Sequence, residues 1–358
     1  MTRVALLGAT GSIGRQALEI IGSHRELELV AVMSGSRSCD EIVAAHPGTV
    51  AQVGGDPTTL LDSTEPDIVL NAVVGFAGIR ATLWALEHGI TLALANKESL
   101  VAGGALARAA QERGGGLLIP VDSEHSAIYQ CLEGRAADTV ESLVLTASGG
   151  PFRGRTREEL LTVTVDEALA HPTWAMGRKI TVDSATLANK GLELIEAHWL
   201  FGVPYDDIEV VVHPTSIVHG IVRFHDGAAL AHIGYPDMRV PISFALTHPA
   251  RAKTPVPALD LAAGLTLSFE APDLEAFPLL RLAREAGERG GTYPCAYNAA
   301  NEVAVAAFLD GRASFLDIAD TVENTLDQVD GLAAGSLEEL VAADEEARRL
   351  AERRLVAA

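Results

Sequence analysis

The residues best suited to chemistry lie in the run Leu118-Ile119-Pro120-Val121-Asp122-Ser123-Glu124-His125-Ser126. An apolar, strand-like stretch ends at Val121, and a helix-like stretch follows. Two carboxylates, Asp122 and Glu124, stand at the turn between them, beside Ser123 and His125. In open α/β sheets, ligands bind outside the carboxyl ends of the strands. Two acids one residue apart can place hard oxygen ligands around a divalent cation such as Mg2+ or Mn2+. The competing explanation is structural: Asp122 or Ser123 caps the next helix by accepting from its free N–H groups.

Other stretches carry similar choices. Asn96-Lys97-Glu98-Ser99 lies at another strand-to-helix turn. Lys97 either offers a cation to a substrate or cofactor, or it is solvated beside a capping Asn96. Ser148, followed by Gly149-Gly150, offers a hydroxyl and open backbone N–H groups, either an anion cradle or a plain turn. Residues 171–179, with His171, Trp174, Met176 and Gly177, form a non-periodic loop. Apolar residues of this kind suit a cover that expels water on closing, or a loop packed permanently on the core. Residues 183–196 read as one helix, with Leu187, Leu194 and Ile195 on an apolar face. Asn189, Lys190, Glu193 and Glu196 recur every three or four residues along a neighbouring face. A surface helix uses the same spacing for ion pairs such as Lys190 with Glu193.

A glycine-rich turn, Gly8-Ala9-Thr10-Gly11-Ser12-Ile13-Gly14, follows the first strand pattern and opens a helix. Glycines there allow close backbone approach to a pyrophosphate resting on a helix N-terminus. The second strand ends at Ser34-Gly35-Ser36-Arg37-Ser38. NAD-preferring folds place an acid near this point for the ribose 2′-hydroxyl. Here Arg37 and serines stand instead, which suits the 2′-phosphate of NADP(H); the alternative is a solvated surface arginine.

The elements that must hold these residues follow from periodicity. Strand patterns over 3–7, 27–33, 67–73, 90–95 and 117–121 alternate with helical ones, predicting a parallel, doubly wound Rossmann-like sheet. After about residue 140 the pattern becomes β-rich, with strands over 143–146, 210–213, 217–224 and 228–233 and a hairpin turn at Asp226-Gly227. A helix runs from Pro236-Asp237-Met238-Arg239 to Leu246. Beyond it come amphipathic helices over 278–288, 296–309, 315–329 and 337–355, a small bundle. The expected organisation is a dinucleotide-binding domain over 1–140, a catalytic and dimerising α+β domain over 141–252, a linker over 253–275, and a C-terminal α-helical domain over 276–358. At 358 residues the chain exceeds a single core. A net charge of -21 argues against nucleic acid or an anionic membrane as partner. Cys39, Cys131 and Cys295 are scattered, fitting a reducing compartment rather than a disulfide framework. No signal segment or membrane-spanning run is read, so the cytoplasm is the expected location.

Taken together, GATGSIG, NKESLV, PVDSEHSAI, LTASGGPFR, HPTWAMGRKITVDSATLANKGLELIEA, HPTSIVHG, YPDMR and NAANEVAVAAFL occur in one order. In this set the chain closely resembles the 1-deoxy-D-xylulose 5-phosphate reductoisomerase family. The resemblance implies metal ligation by Asp122, Glu124 and Glu193. It implies substrate contacts from Lys97, Ser123, Glu124, Ser148, His171, Trp174, Met176, Ser184, Asn189, Lys190 and Glu193, with Trp174 and Met176 in a closing loop. It places the cofactor against Gly8, Thr10, Gly11, Ser12, Ile13, Gly35, Ser36, Arg37, Asn96, Glu98 and Gly177. Catalytic roles fall to Lys97, Asp122, Glu124 and Glu193. Many members carry Lys-Asn where this chain has Ser36-Arg37.

The implied reaction rearranges a small phosphorylated sugar on Mg2+ or Mn2+ to an aldehyde, which NADPH reduces to 2-C-methyl-D-erythritol 4-phosphate, an isoprenoid precursor. A homodimer is implied as well. The rival is another NADP-dependent semialdehyde or sugar dehydrogenase. A thioester route would need a reactive cysteine, and Cys131 sits in an apolar run, a poor setting for a thiolate.

Overall fold

The computed structural model describes residues 1–357; Ala358, the last residue of the expected C-terminal domain, lies outside them. The chain forms two compact units. The first comprises Met1–Leu100, Gly104–Gln130 and Asp237–Ala258. Its six strands are β1 (Thr2–Leu7), β2 (Leu27–Ser34), β3 (Val50–Val53), β4 (Ile68–Asn71), β5 (Thr91–Leu94) and β6 (Leu118–Pro120). They pair in the order β3-β2-β1-β4-β5-β6, every pair parallel. Val4–Leu7 and all of β4 are buried, as expected where helices cover both faces of a parallel sheet. The strand order reverses between β1 and β4, the switch point at which such sheets open a crevice for ligand.

Sequence periodicity missed β3. It is a four-residue edge strand, mostly exposed, so no apolar run marks it. A second difference concerns the helix Arg239–Thr247, expected in the central domain. It belongs to the first unit, because its Ile242, Phe244, Ala245 and Leu246 fill the same core as Val4, Leu6, Ile20 and Ile119. Local periodicity reveals that a helix has an apolar face but not which core that face will join.

The second unit takes in Val101–Gly103, Cys131–Pro236 and the described chain from Leu259 onward. Its sheet has β7 (Val140–Ala147), β8 (Ile208–Val212), β9 (Val218–Phe224) and β10 (Ala229–Ile233) in the order β10-β9-β7-β8. β7 and β8 are parallel, and the other pairs are antiparallel. The hairpin turn holds Gly227 at φ +85, where glycine is at ease. Glu270 reaches back to pair with Val212 of β8, through bonds of 2.8 and 2.9 Å. The helices Leu279–Arg289, Tyr293–Leu309, Phe315–Gln328 and Leu337–Ala357 follow.

The stretch 183–196 is two helices, Arg178–Ala185 and Ala188–Phe201, rather than one. Leu187 breaks them with φ +61. The turn is closed by Leu187 N–H on Ser184 O at 3.3 Å and by Ala188 N–H on Thr186 Oγ1 at 3.3 Å. A buried leucine in the left-handed region is strained by ~1–3 kcal/mol, and such strain tends to collect at functional sites. No apolar-periodicity signal reports such a break.

Leu246→Ala empties a buried position of the first unit's core and is expected to cost about 3 kcal/mol. Thermal or urea unfolding of the variant checks this; a midpoint equal to that of the parent would contradict the assignment of this helix.

Candidate active site

In the first unit, the residues singled out from sequence gather at the C-terminal ends of the parallel strands. Gly8 follows β1 with φ +82, and a Cβ there would lie 2.3 Å from Ala72 O. A Cβ on Gly14 would lie 2.4 Å from Gly8 O. The loop closes only with bare backbone at both positions. The helix Ser12–Ser23 starts at Gly11 with no side-chain cap, so its first N–H groups are not taken by a cap and suit an anion. Gly35, Ser36 and Arg37 follow the end of β2 and are exposed. These features fit the pyrophosphate and 2′-phosphate of NADPH.

After β5, Asn96 is the N-cap of the helix Lys97–Gly114, accepting from Ser99 N at 3.1 Å. Its amide nitrogen donates to Val73 O at 2.6 Å and to Gly75 O at 2.8 Å, tying the ends of β4 and β5 together. The cap expected from sequence is therefore real, but Lys97 is not solvated. It is buried and pairs with Asp122 at the end of β6. His125 Nδ1 lies 3.1 Å from the other oxygen of Asp122. Burial alone raises the Asp122 carboxyl. The Lys97 ammonium and the His125 ring outweigh it and hold Asp122 well below the usual carboxylate range. Ser123 Oγ donates to Glu124 Oε2 at 2.6 Å. Asp122 and Glu124 thus form an oxygen-rich pair, the donor type that Mg2+ and Mn2+ prefer.

In the second unit, the helix Ala188–Phe201 buries Lys190 and Glu193 at its start. Asn189 donates to Glu193 Oε1 at 2.5 Å, and Lys190 pairs with Oε2. The spacing expected for an ion pair is present. With both partners buried, however, it is not the surface pair that spacing alone allowed.

His171 shows its tautomer by its partners. Its Nδ1 accepts from the backbone N–H groups of Thr173 at 3.1 Å and Trp174 at 2.9 Å. The proton therefore sits on Nε2, which donates to Ser148 Oγ at 2.9 Å. Burial pushes His171 down, favouring this neutral form. Gly150 N–H also donates to Ser148 Oγ at 3.2 Å. With two donors on its oxygen, the Ser148 hydroxyl keeps its own hydrogen for an acceptor such as phosphate. Residues 171–177 have neither helix nor strand. In that stretch the Trp174 ring centre lies 6.3 Å from that of His219, Met176 follows, and Gly177 starts the helix that carries Ser184.

Sequence inspection gave no role to Asn71, a fully buried amide at the end of β4. It donates to Gly78 O at 2.9 Å and Thr82 Oγ1 at 3.0 Å, fixing the chain beside the switch point. An asparagine inside an apolar strand pattern was the available signal. The three cysteines are free thiols. Cys39 and Cys295 are buried, and burial pushes the Cys131 and Cys295 thiols up, which weighs against thioester chemistry.

With this geometry in place, known proteins can be compared. Family models described as the 1-deoxy-D-xylulose 5-phosphate reductoisomerase and its C-terminal domains match residues 4–53, 49–104, 118–201 and 233–350. A relative from Leifsonia xyli, named 1-deoxy-D-xylulose 5-phosphate reductoisomerase, is 51% identical over 99% of this chain and 98% of its own. The chain belongs to the 1-deoxy-D-xylulose 5-phosphate reductoisomerase family. Among solved members of this reductoisomerase family, the Zymomonas mobilis protein in complex with NADPH is 42% identical, with a TM-score of 0.91 and full coverage of both chains. A reductoisomerase structure in complex with NADPH, fosmidomycin and magnesium is 37% identical, with a TM-score of 0.93 over 99% of this chain and 98% of that one.

Burial, and then the neighbouring His232 ring, push His219 down to about 4. The unfolded chain therefore takes this proton first. The neutral ring's contribution is complete above pH ~6.5 and is lost as pH falls toward ~4, a span of about 3 kcal/mol. His219→Asn is expected to flatten the loss of unfolding free energy across that window. Denaturant titrations at several pH values check this, and an unchanged slope would contradict it.

Proposed function

We propose that Asp122, Glu124 and Glu193 together hold one divalent cation, Mg2+ or Mn2+, and that the chain's activity depends on it. The reaction is that of the family: 1-deoxy-D-xylulose 5-phosphate and NADPH give 2-C-methyl-D-erythritol 4-phosphate and NADP+, a step of isoprenoid precursor synthesis. The observation that supports the metal assignment is the donor set itself: Asp122, part-buried, and Glu124 stand one residue apart at the end of β6, and Glu193 is a buried carboxylate, with Asp122 and Glu193 each fixed by a lysine. Carboxylate oxygens are the hard donors that Mg2+ and Mn2+ prefer. A semialdehyde dehydrogenase acting through a thioester would need a reactive thiol, and burial pushes the Cys131 and Cys295 thiols up.

Once bound, the metal supplies Lewis-acid and template chemistry and the nicotinamide supplies hydride. The chain's own residues do the rest. Lys97 and His125 keep Asp122 ionised and aimed. Asn189 and Lys190 fix the two oxygens of Glu193. Ser148, oriented by His171, offers its hydroxyl hydrogen to the phosphate, with Ser184, Asn189 and Lys190 alongside. Ser123 and Lys97 contact the reacting end of the sugar. Gly8, Thr10, Gly11, Ser12 and Ile13 cradle the pyrophosphate, Gly35, Ser36 and Arg37 take the 2′-phosphate, and Asn96, Glu98 and Gly177 complete the cofactor contacts. Trp174 and Met176 exclude water when residues 171–179 close.

A homodimer is supported by β10, which ends the four-strand order with β9 on one side only. Its Leu230 and Ile233 are exposed, and an open edge of this kind pairs readily with a second copy. Three free thiols suit a reducing cytoplasm. Among the described residues, no helix is long and apolar enough to cross a membrane.

Glu193→Gln keeps the shape but removes the charge. Turnover, followed as NADPH absorbance, is expected to fall at least ~100-fold, while NADPH binding by fluorescence titration persists. Undiminished turnover in the folded variant would overturn the ligand assignment.

A further inference from the structure

One buried polar contact in the second unit lies outside everything assigned above. The helix Arg178–Ala185 carries Asp183 next to Ser184, and Asp183 is almost fully buried. Its Oδ2 pairs with Lys179 Nζ at 2.9 Å, one helical turn back. Its Oδ1 accepts from Asn301 Nδ2 at 2.8 Å. Asn301 lies on the helix Tyr293–Leu309, within NAANEVAVAAFL, and is completely buried. A carboxylate only accepts, so the amide nitrogen of Asn301 must face it. Among the described residues no donor reaches Asn301 Oδ1. An unmet buried acceptor is costly, and an apolar residue would avoid that cost. The amide is thus retained for Asp183.

The position of that contact gives it a role. Lys179 ends the 171–179 segment, and Ser184 follows Asp183. A Cβ on Gly150 would lie 2.8 Å from Ser184 O and 3.0 Å from Ala185 Cα, so the Ser148-Gly149-Gly150 turn packs directly on the end of this helix. The helix therefore joins the root of the closing segment to the phosphate cradle. We infer that Asn301 is a positioning residue: through Asp183 it holds Lys179 and Ser184 in place, and so sets how tightly the phosphate end of the substrate is gripped. This rests on the phosphate assignment of Ser148 and Ser184 proposed above. Asn301 need not touch substrate or cofactor to act.

Four proteins test it: the parent, Asn301→Leu, Lys179→Met, and the double variant. Ser184→Ala serves as a control. Steady-state turnover yields KM for 1-deoxy-D-xylulose 5-phosphate and kcat, and fluorescence titration yields NADPH affinity. Asn301→Leu is expected to raise KM about tenfold, with kcat and NADPH affinity within about threefold of the parent, the pattern of lost substrate grip. Lys179→Met should raise KM too, and the double variant should fall short of the product of the two effects, because both act through Asp183. A parent-like KM in folded Asn301→Leu would overturn the inference, as would full multiplicativity in the double variant. If Asn301→Leu does not fold, Lys179→Met decides alone, and a parent-like KM there overturns the inference. Ser184→Ala separates the two levels. If it raises KM while Asn301→Leu does not, only the inference fails. If it leaves KM unchanged, the phosphate assignment fails and takes the inference with it.

Discussion

A buried carboxylate must be balanced by positive charge or dense hydrogen bonding, or it will not stay ionised. That constraint shapes both halves of this chain. In the first unit, Asp122 is flanked by Lys97 and His125 at the ends of β5 and β6. In the second, Glu193 is held by Asn189 and Lys190 from its own helix. As bare stabilisation such pairs contribute little, because the cost of desolvating both charges offsets much of their attraction. Both make sense as preorganisation. Lys97 and His125 hold the Asp122 carboxyl well below the usual carboxylate range, and Asn189 and Lys190 fix the direction of Glu193, so that a divalent cation would meet oxygen ligands already aimed.

The surrounding fold serves that end. The parallel sheet brings Gly8, Asn96, Lys97 and Asp122 to one edge because every strand runs the same way and every following helix starts there. Asn96 and Asn71 then lock the loops at that edge. In the second unit the same purpose is met by a break rather than a sheet. Leu187, held at φ +61, ends one helix after Ser184 and starts another before Asn189. One continuous helix would have carried Ser184, Asn189 and Glu193 around a single axis, and the break frees them from that fixed relation.

Much of this was legible in the amino-acid sequence, and what was not has identifiable causes. Glycine spacing disclosed the tight loop after β1 because only glycine tolerates the contact with Ala72 O. A parallel, doubly wound sheet followed from strand and helix alternation, but its strand order did not, and β3 is too exposed to show an apolar pattern. Asn96 was visible as a cap, since capping is local. Burial is not local, so Lys97 and the Lys190–Glu193 pair were open to a solvated interpretation. The unit that receives the helix Arg239–Thr247 was also hidden, because Ile242, Phe244 and Leu246 fit any apolar core equally well. Asp183 and Asn301 are 118 residues apart, and nothing in either local pattern links them.

The central claim is that one cation is shared by two neighbouring acids and a third from a distant helix. It is tested most directly by a crystal structure of the protein with Mn2+, using the anomalous signal of the metal. The account predicts a single manganese peak with oxygens of Asp122, Glu124 and Glu193 at about 2.1–2.2 Å. A manganese bound without Glu193, in a crystal where residues 171–179 are closed, would contradict it.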